Sequence, residues 1–356
     1  MQKVQLVCVD SNQNHAGSKA VTDIIEFLTG IGYKKIVLLS KSSESIFGKI
    51  LEYFIFLHRI FSVRKQYEVE KTILFLQYPF PMKKNIVKIF LRILNASRKK
   101  NKIRVITLLH DIDELRYGNV GKDELDNINS VSNLLIVHNE KMIEYLIQRG
   151  VDKKKLVNLE IFDYIVDGDN RKKQIFFEKK IIIAGNLDSN KAAYLKDLKI
   201  LEKSSFDLYG PNFNKKDICC KNIRYQGSVQ PAVLPSKFCS GFGLVWDGES
   251  IESCCGFSGN YLRYNNPHKL SLYLAAGIPV IVWKNSALAN FITQNNLGIV
   301  VESLKDLPQI LDNLTEKEYL FFSESVRKFS KRLHSGYFIK KAIKECENRI
   351  FLEDIW

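Results

Sequence analysis

The sequence lacks the features that mark membrane, secreted and repetitive proteins. Its 356 residues contain no uninterrupted apolar run of about 18 residues, and charged side chains break the most apolar window, residues 46–63. We find no low-complexity tract, internal repeat or heptad array. The first ten residues alternate like a buried strand and lack the basic start, apolar run and cleavage site of a signal peptide. These absences predict a globular chain that stays in the cytoplasm.

Cysteine and histidine are also arranged without any metal-binding pattern. The seven cysteines form no C-x-x-C pair and have no metal-ligand spacing to the six histidines. We expect reduced cysteines that mostly pack in the interior. The adjacent pairs Cys219-Cys220 and Cys254-Cys255 leave a redox role open.

Positive charge, in contrast, is abundant. The chain has 53 Lys and Arg against 39 Asp and Glu, a formal net charge of +14. In residues 47–65 and 82–102, basic and apolar side chains alternate near helical spacing. Two interpretations remain open: these helices cover a sheet and turn their lysines to water, or they dock on anionic lipid head groups. Nucleic acid is disfavoured, because no recognised binding motif or aromatic array accompanies the charge.

Strand-like and helix-like segments alternate along the chain, as is typical of α/β proteins with parallel sheets. One series ends near Phe162, a polar stretch at 167–173 is the predicted linker, and a second series ends in an amphipathic tail at 316–351. We predict Rossmann-like domains at 1–166 and 174–330, with a helical tail at 331–356 that packs back toward the first domain. Parallel sheets that face a shared interdomain cleft would place ligands between the domains.

Residues 265–283 predict a helix whose start can hold an anion. Asn266 can cap this helix, Pro267 suits its first position, and Gly277 with Pro279 ends it before a β-branched strand. Lys269 then lies in the first turn, where a cation is unfavourable unless a negative ligand shares the site. A nucleotide diphosphate fits this pattern, and a plain helix–turn–strand unit with a solvated lysine is the alternative.

Several motifs resemble those of bacterial β-1,6-galactofuranosyltransferases of O-antigen assembly. They cover nearly the whole chain, at residues 110–116, 161–164, 184–187, 242–250 and 265–269. More distantly, residues 241–246 and 274–282 are similar to glucosyltransferases that extend O-linked GlcNAc on streptococcal adhesins. The resemblance implies a GT-B fold and transfer of a sugar, most simply galactofuranose, from a UDP donor to a glycan acceptor.

The resemblance also implies a donor site in the second domain. Gly185 would let the backbone approach a phosphate, Lys191 would reach the diphosphate, and Tyr225, favoured over Tyr209, would meet the uracil or ribose. A plain turn, a solvated lysine and core packing are the alternatives for these residues. The predicted donor-binding set is Gly185, Asn186, Lys191, Tyr225, Trp246, Asp247, Asn266, His268 and Lys269.

An inverting transfer needs a base that takes the proton of the acceptor hydroxyl. We favour Asp111, with His110 and Asp113 fixing the local hydrogen bonds, while Asp247 or Glu249 would hold the donor's sugar hydroxyls. Helix capping is the alternative for the Asp111 and Asp113 pair. Many retaining GT-B enzymes carry a glutamate where this chain has Leu272, and a retaining mechanism that uses this carboxylate is therefore excluded.

Gly17, Ser18 and Lys19 resemble a mobile loop beside donor and acceptor, and a solvated loop with Ser18 as a helix cap is the alternative. Asn139 is predicted to cap a helix. No D-x-D lies in the context of a metal-dependent transferase, so we expect neither a metal nor a cofactor.

The functional prediction is an inverting, metal-independent glycosyltransferase of cell-surface polysaccharide synthesis. Its partners would be a UDP-sugar, a lipid-linked glycan acceptor and the anionic inner face of the cell membrane, and a homo-oligomer remains open. One alternative is a UDP-glucose-dependent enzyme that acts on a glycan or glycoprotein. A second alternative is a non-catalytic nucleotide-sugar-binding subunit.

Overall fold

The computed structural model describes residues 1–10, 16–41, 71–100, 103–118, 122–166, 175–214 and 220–352, together with Ile55. Apart from Ile55, the predicted basic segment at 47–65 lies outside these residues, as do the linker at 167–173 and Cys219. The chain divides into two units. Unit 1 comprises Met1–Gln13, Val21–Glu160 and Phe338–Trp356, and unit 2 comprises Asn14–Ala20 and Ile161–Tyr337.

Unit 1 is built on a parallel sheet with the strand order β2-β1-β3-β4-β5-β6. Its strands are β1 (Gln2–Asp10), β2 (Lys34–Lys41), β3 (Thr72–Tyr78), β4 (Ile103–Leu109), β5 (Leu134–Val137) and β6 (Leu156–Asn158). Every residue of β3 is buried, as expected for a central parallel strand that is covered on both faces. The helices that accompany these strands in sequence are α1 (Ala16–Thr29), α2 (Lys84–Lys100), α3 (Asp113–Tyr117), α4 (Lys122–Val131) and α5 (Glu140–Gln148).

Unit 2 contains a second parallel sheet, with the order β12-β11-β10-β7-β8-β9. Its strands are β7 (Phe176–Ala184), β8 (Ser205–Tyr209), β9 (Ile223–Tyr225), β10 (Ser240–Val245), β11 (Val280–Trp283) and β12 (Gly298–Val301). The helices are α6 (Gly256–Tyr261), α7 (His268–Ala275), α8 (Ala289–Gln294), α9 (Leu307–Asn313) and α10 (Glu316–Ser335). The chain adds β8 and β9 on one side of β7 and β10 to β12 on the other, so the strand order reverses between β7 and β10.

The prediction of an α/β fold with two parallel sheets is confirmed. The predicted C-terminal tail is two helices, α10 and α11 (Tyr337–Leu352), because Gly336 takes a left-handed conformation with φ 70° between them. Helix α11 belongs to unit 1, as predicted for the tail. There Glu347 accepts hydrogen bonds from Lys3 at 2.8 Å and from the Tyr33 hydroxyl at 2.9 Å.

Two predicted helix starts are wrong. The N-cap of α7 is Pro267, in extended conformation and without a side-chain cap, and Asn266 is buried one residue earlier. Proline supplies a fixed φ but no side-chain acceptor, so the first turn of α7 keeps its N–H groups without a cap from its own boundary residue. Helix α1 begins at Ala16, so Gly17, Ser18 and Lys19 lie in its first turn rather than in a loop, and Ser18 is not a cap.

The capping predictions in unit 1 have opposite outcomes. Asn139 caps α5 as predicted, since its Oδ1 accepts a hydrogen bond from the Met142 N–H at 3.1 Å. Neither Asp111 nor Asp113 is the N-cap residue of α3, because this position is Ile112, whose side chain makes no capping hydrogen bond.

Helix α2 is amphipathic as predicted, with Phe90 and Leu91 buried. Two lysines of its first turns are paired within unit 1. Lys84 lies 2.6 Å from Glu124, and Lys88 lies 3.7 Å from Asp123. Among the residues that the structure describes, no helix is both long and apolar enough to cross a membrane.

Candidate functional site

The predicted donor residues gather at the carboxyl ends of β7 and β10, where the strand order of unit 2 reverses. Gly185 follows the last residue of β7, and Asp247 comes two residues after β10. Ligands of open parallel sheets bind at such a reversal, because the chain leaves the two strands in opposite directions and opens a crevice between them. The topology therefore supports a binding site at this position of unit 2.

Two glycines bring the backbone at the ends of β7 and β8 together. Gly210 has a φ of 147°, and a Cβ at this residue would lie 1.7 Å from the Gly185 carbonyl oxygen. Only glycine fits such a close backbone approach. The turn after β7 is therefore fixed by the backbone of Gly210, at the end of β8, as well as by its own sequence.

Tyr273 anchors α7 on the sheet. Its buried hydroxyl accepts a hydrogen bond from the Ala184 N–H at 2.7 Å, and burial raises the pKa of this phenol. Gly243 of β10 makes room for the ring, since a Cβ there would lie 2.1 Å from it. Because α7 connects the end of β10 to the start of β11, its N-terminus lies at the carboxyl edge of the sheet.

Lys269, in the first turn of α7, is held against the end of β10. Its Nζ donates hydrogen bonds to the Trp246 carbonyl oxygen at 2.8 Å and to Asp247 Oδ1 at 3.0 Å. The Lys269 and Asp247 side chains are 17% and 13% exposed, so the ion pair is largely removed from water. The negative group that the sequence predicted beside Lys269 is thus, in this structure, the chain's own Asp247.

Trp246 contributes its backbone rather than its ring. The side chain is fully buried, and the indole Nε1–H donates to the Ser250 carbonyl oxygen at 2.9 Å. A ligand at the surface of the sheet edge would not reach this ring. Of the groups of Trp246, only the carbonyl lies at the predicted donor site, and it already accepts a hydrogen bond from Lys269.

His268 is enclosed by aromatic and cationic neighbours. Its ring stacks on Tyr164 with centroids 4.9 Å apart, and the Lys19 ammonium lies 4.6 Å from the centre of the same tyrosine. Lys19 is itself held by a 2.9 Å hydrogen bond to the Ile165 carbonyl oxygen. Burial, helped by the charge of Lys19, lowers the pKa of His268 to about 3. The imidazole is therefore neutral at physiological pH.

Two buried polar atoms at the start of α7 have no hydrogen-bond partner: His268 Nε2 and Asn265 Oδ1. Buried polar atoms without partners are costly in a folded protein, and they are often completed by a ligand or water. Sequence reasoning assigned no role to Asn265 or Tyr164. The signal for both residues was their place in a motif, 161–164 for Tyr164 and 265–269 for Asn265.

The other predicted donor residues surround the same edge. Asn186 Oδ1 accepts hydrogen bonds from the Asp188 N–H at 3.1 Å and from Asn212 Nδ2 at 2.8 Å. The Lys191 carbonyl accepts a hydrogen bond from the Gly248 N–H at 3.3 Å, which ties the segment after β7 to the loop that carries Asp247.

Tyr225 ends β9, two strands from β7. Its ring stacks on Phe213 with centroids 4.6 Å apart, and its hydroxyl donates to the Gly210 carbonyl oxygen at 2.9 Å. Tyr209, the alternative, ends β8 and packs edge-on against the buried Phe238. Both tyrosines are half-buried. In Tyr225, the favoured residue, Phe213 holds the ring and the Gly210 carbonyl oxygen holds the hydroxyl.

The predicted catalytic residues lie in unit 1, at the carboxyl ends of β3 and β4. His110 Nε2 and Gln77 Oε1 are 2.7 Å apart, in a hydrogen bond that fixes the ring. Asp111 Oδ2 pairs with Arg116 at 3.0 Å, and Asp113 lies in the first turn of α3. Within the described parts of the chain, no group of three His, Cys, Asp or Glu side chains could hold a metal ion.

The comparison with known proteins agrees with this arrangement. Residues 3–161 match the N-terminal domain of the glucosyltransferase 3-like family, and residues 181–346 match its C-terminal domain. The β-1,6-galactofuranosyltransferase WbbI of Escherichia coli (strain K12) is 36% identical over 75% of this chain and 77% of its own length. Glucosyltransferase 3 of Streptococcus gordonii is 31% identical over 67% of this chain and 70% of its own length.

Among solved structures, Anabaena Alr3699/HepE in complex with UDP-glucose superposes with a TM-score of 0.58 at 12% identity, covering 98% of this chain and 100% of that one. Solved glycosyltransferases share the two-sheet GT-B fold seen here. The chain therefore belongs to the glucosyltransferase 3-like family and is a glycosyltransferase with the GT-B fold.

Proposed function

We propose that this glycosyltransferase transfers galactofuranose from a UDP donor to a lipid-linked glycan acceptor, with inversion and without a metal ion. The observation that carries the proposal is Lys269, held by Asp247 in the first turn of α7 at the strand reversal of unit 2. The name of the Escherichia coli relative supports the choice of sugar, and the UDP-glucose complex of the Anabaena protein supports a UDP donor for this fold.

The diphosphate would bind at the start of α7. The free N–H groups and positive dipole end of this helix attract an anion, and Lys269 adds a full charge. Lys269 is paired with Asp247, and we expect the incoming phosphate, which carries the larger negative charge, to replace the carboxylate as its partner. His268 Nε2 would gain a phosphate oxygen as its partner, with the neutral imidazole as the donor, and Asn265 Oδ1 would accept a hydrogen bond from a hydroxyl of the donor molecule.

The released Asp247 carboxylate would then accept hydrogen bonds from hydroxyls of the transferred sugar. A carboxylate accepts strongly from hydroxyl donors, whereas it repels a phosphate. The ion pair thus separates two tasks of one donor molecule: Lys269 binds the diphosphate, and Asp247 recognises the sugar.

The nucleoside would extend from β7 toward β9. Neighbouring strands lie about 4.8 Å apart, so β9 is about 10 Å from β7, a distance that a nucleoside can span. Tyr225 is fixed at this edge by Phe213 and by the Gly210 carbonyl oxygen. Its ring would line the site for the uracil or ribose.

In the reaction, the acceptor oxygen forms a bond to the anomeric carbon as the bond from that carbon to the diphosphate breaks. The proton of the acceptor hydroxyl passes to Asp111, with His110 and Asp113 fixing the local hydrogen bonds. Lys269 and the α7 N-terminus stabilise the negative charge that develops on the leaving UDP. Leu272, buried in α7, supplies no carboxylate for a retaining pathway.

The lipid-linked part of the proposal rests on α2 of unit 1. Ile89 is 41% exposed on this helix, and the exposed Arg92 follows within one turn. An apolar side chain flanked by cations suits a peripheral contact with an anionic membrane on the cytoplasmic face. Lys84 and Lys88 contribute less to this surface, because Glu124 and Asp123 already partner them.

Donor choice tests the proposal. Release of UDP is measured from UDP-galactofuranose, UDP-glucose and UDP-galactopyranose, without acceptor and with lipid-linked glycan, and we expect UDP-galactofuranose to react fastest. Preference for UDP-glucose would favour the alternative that the glucosyltransferase 3-like family match suggests. No release from any donor and no transfer to any acceptor would favour a non-catalytic subunit.

A further inference from the structure

Unit 1 contains a pocket that the predicted donor residues do not line. It lies where β3 ends, between the first turns of α2 and α4, and has a volume of about 110 Å³. Both apolar and polar side chains line it. Aromatic and apolar residues form one part (Tyr78, Pro79, Phe80, Met82, Val87 and Leu91), and two lysines, two carboxylates and an amide form the rest (Lys84, Lys88, Asp113, Glu124 and Asn127).

The polar groups of the pocket are organised around Glu124. The Tyr78 hydroxyl donates a hydrogen bond to Glu124 Oε2 at 2.7 Å, and Lys84 lies 2.6 Å from Oε1. Burial alone would raise the pKa of Glu124, but the hydrogen bonds from Lys84 and Tyr78 lower it overall. The carboxylate is therefore ionised and fixed in position by two neighbours.

The charges of the lining decide which class of ligand fits. Two lysines face two carboxylates, so the pocket has no net charge to attract a phosphate or an anionic lipid head group. An alkyl chain would remove water from the lysines and carboxylates of the lining and offer them no hydrogen bond in return. A neutral molecule with many hydroxyls fits better, because it both donates to carboxylates and accepts from lysines.

The apolar wall fits the other face of such a molecule. Phe80, Val87 and Leu91 are between 3% and 9% exposed, so this wall is part of the core and rigid. Sugar rings present C–H groups on one face and hydroxyls at their rim, which matches an apolar wall with a polar border. The volume of about 110 Å³ is several times the roughly 10–15 Å³ that a single water needs, so the pocket has room for a small molecule.

We infer that this pocket binds one neutral monosaccharide unit of the acceptor glycan. The inference rests on the proposed transfer to a glycan. Asp113, which lines the pocket, is two residues from Asp111, the predicted base, and both lie at the carboxyl end of β4. A sugar in the pocket would thus place its neighbouring hydroxyls near the group that must take the proton.

The test uses the whole chain and three simple probes: the methyl α-glycosides of glucose, galactose and N-acetylglucosamine. Saturation-transfer NMR measures their binding to the wild type, to Asn127→Phe, which fills the pocket, and to Glu124→Gln, which keeps its shape. Asp126→Phe is the matched control, since Asp126 is exposed on the same helix and does not line the pocket. Thermal unfolding confirms that each variant is folded.

We expect at least one glycoside to bind the wild type and Asp126→Phe, with binding weakened on the order of tenfold in both pocket variants. Acceptor KM should rise by a similar factor, while UDP release without acceptor stays unchanged. Absence of binding for all three glycosides, or equal binding in Asn127→Phe and wild type, would overturn the inference. If the chain is not a transferase at all, the wild type itself releases no UDP, so this failure is distinguishable from a failure of the pocket to bind a sugar.

Discussion

Replacing Lys269 by methionine should weaken UDP binding and destabilise the protein at the same time. Methionine keeps the length of the side chain but removes the charge, so Asp247 stays 13% exposed and loses its cation. Breaking one side of a largely buried ion pair costs about 3 kcal/mol of unfolding free energy. A lost charge-assisted contact to a phosphate costs about 2 kcal/mol of binding, or roughly 30-fold in Kd.

The variant Asp247→Asn separates these two effects. It also breaks the ion pair, so the free energy of unfolding should fall. UDP binding should instead become tighter, because the phosphate no longer competes with a carboxylate for Lys269. Sugar transfer should fall, since the proposed acceptor of the sugar hydroxyls has lost its charge. Opposite signs of the UDP effect in Lys269→Met and Asp247→Asn are therefore the signature of a shared lysine.

Isothermal titration with UDP and urea unfolding measure both quantities. Lys328→Met is the matched control, because Lys328 forms an exposed i,i+4 pair with Glu324 on α10. Exposed pairs contribute little, so this control should change neither stability nor Kd by more than a small amount. If folded Lys269→Met binds UDP within threefold of the wild type, the assignment of Lys269 to the diphosphate is refuted.

Three further predictions concern stability and membrane binding. His268 has a folded pKa of about 3 against 6.5 when unfolded, so the unfolded state binds more protons and stability is lost as pH falls below 6.5. Between pH 6.5 and 5 the free energy of unfolding should fall by about 2 kcal/mol, and urea unfolding of His268→Phe should show no such fall. Gly210→Ala should lower the free energy of unfolding by about 3 kcal/mol or more, because the new Cβ would clash with the Gly185 carbonyl oxygen. Gly227→Ala, whose Cβ would meet no atom within 4 Å, should lower it by about 1 kcal/mol. In co-sedimentation with phosphatidylglycerol vesicles, Ile89→Glu should lose binding and the similarly exposed Ile147→Glu should keep it.

The sheets were the most predictable part of the molecule. Buried parallel strands such as β3 and β11 are continuous β-branched and apolar runs, and their sequence pattern has few other uses. The edge strands β6 and β12 were not predicted. They are three and four residues long, and β12 is mostly half-buried, so neither shows the long buried run of a central strand.

The site was predictable in its residues and less so in its contacts. The helix start that carries Lys269 indicated an anion site, Asp247 was assigned to the sugar hydroxyls of the donor, and the structure brings these two side chains into contact. That Asp247 would be the partner of Lys269 depends on how the chain between β10 and α7, which includes helix α6, returns to the end of β10. The stacking of His268 on Tyr164 joins residues about a hundred positions apart, and no local pattern encodes such a contact.

The most direct test of the central claim is a crystal structure of the wild-type protein with UDP. The account predicts diphosphate oxygens about 3 Å from Lys269 Nζ and from N–H groups of the first turn of α7. It also predicts that Lys269 no longer contacts Asp247 and that His268 Nε2 has gained a partner. A diphosphate bound elsewhere, with the Lys269 and Asp247 pair intact at 3.0 Å, would contradict the account.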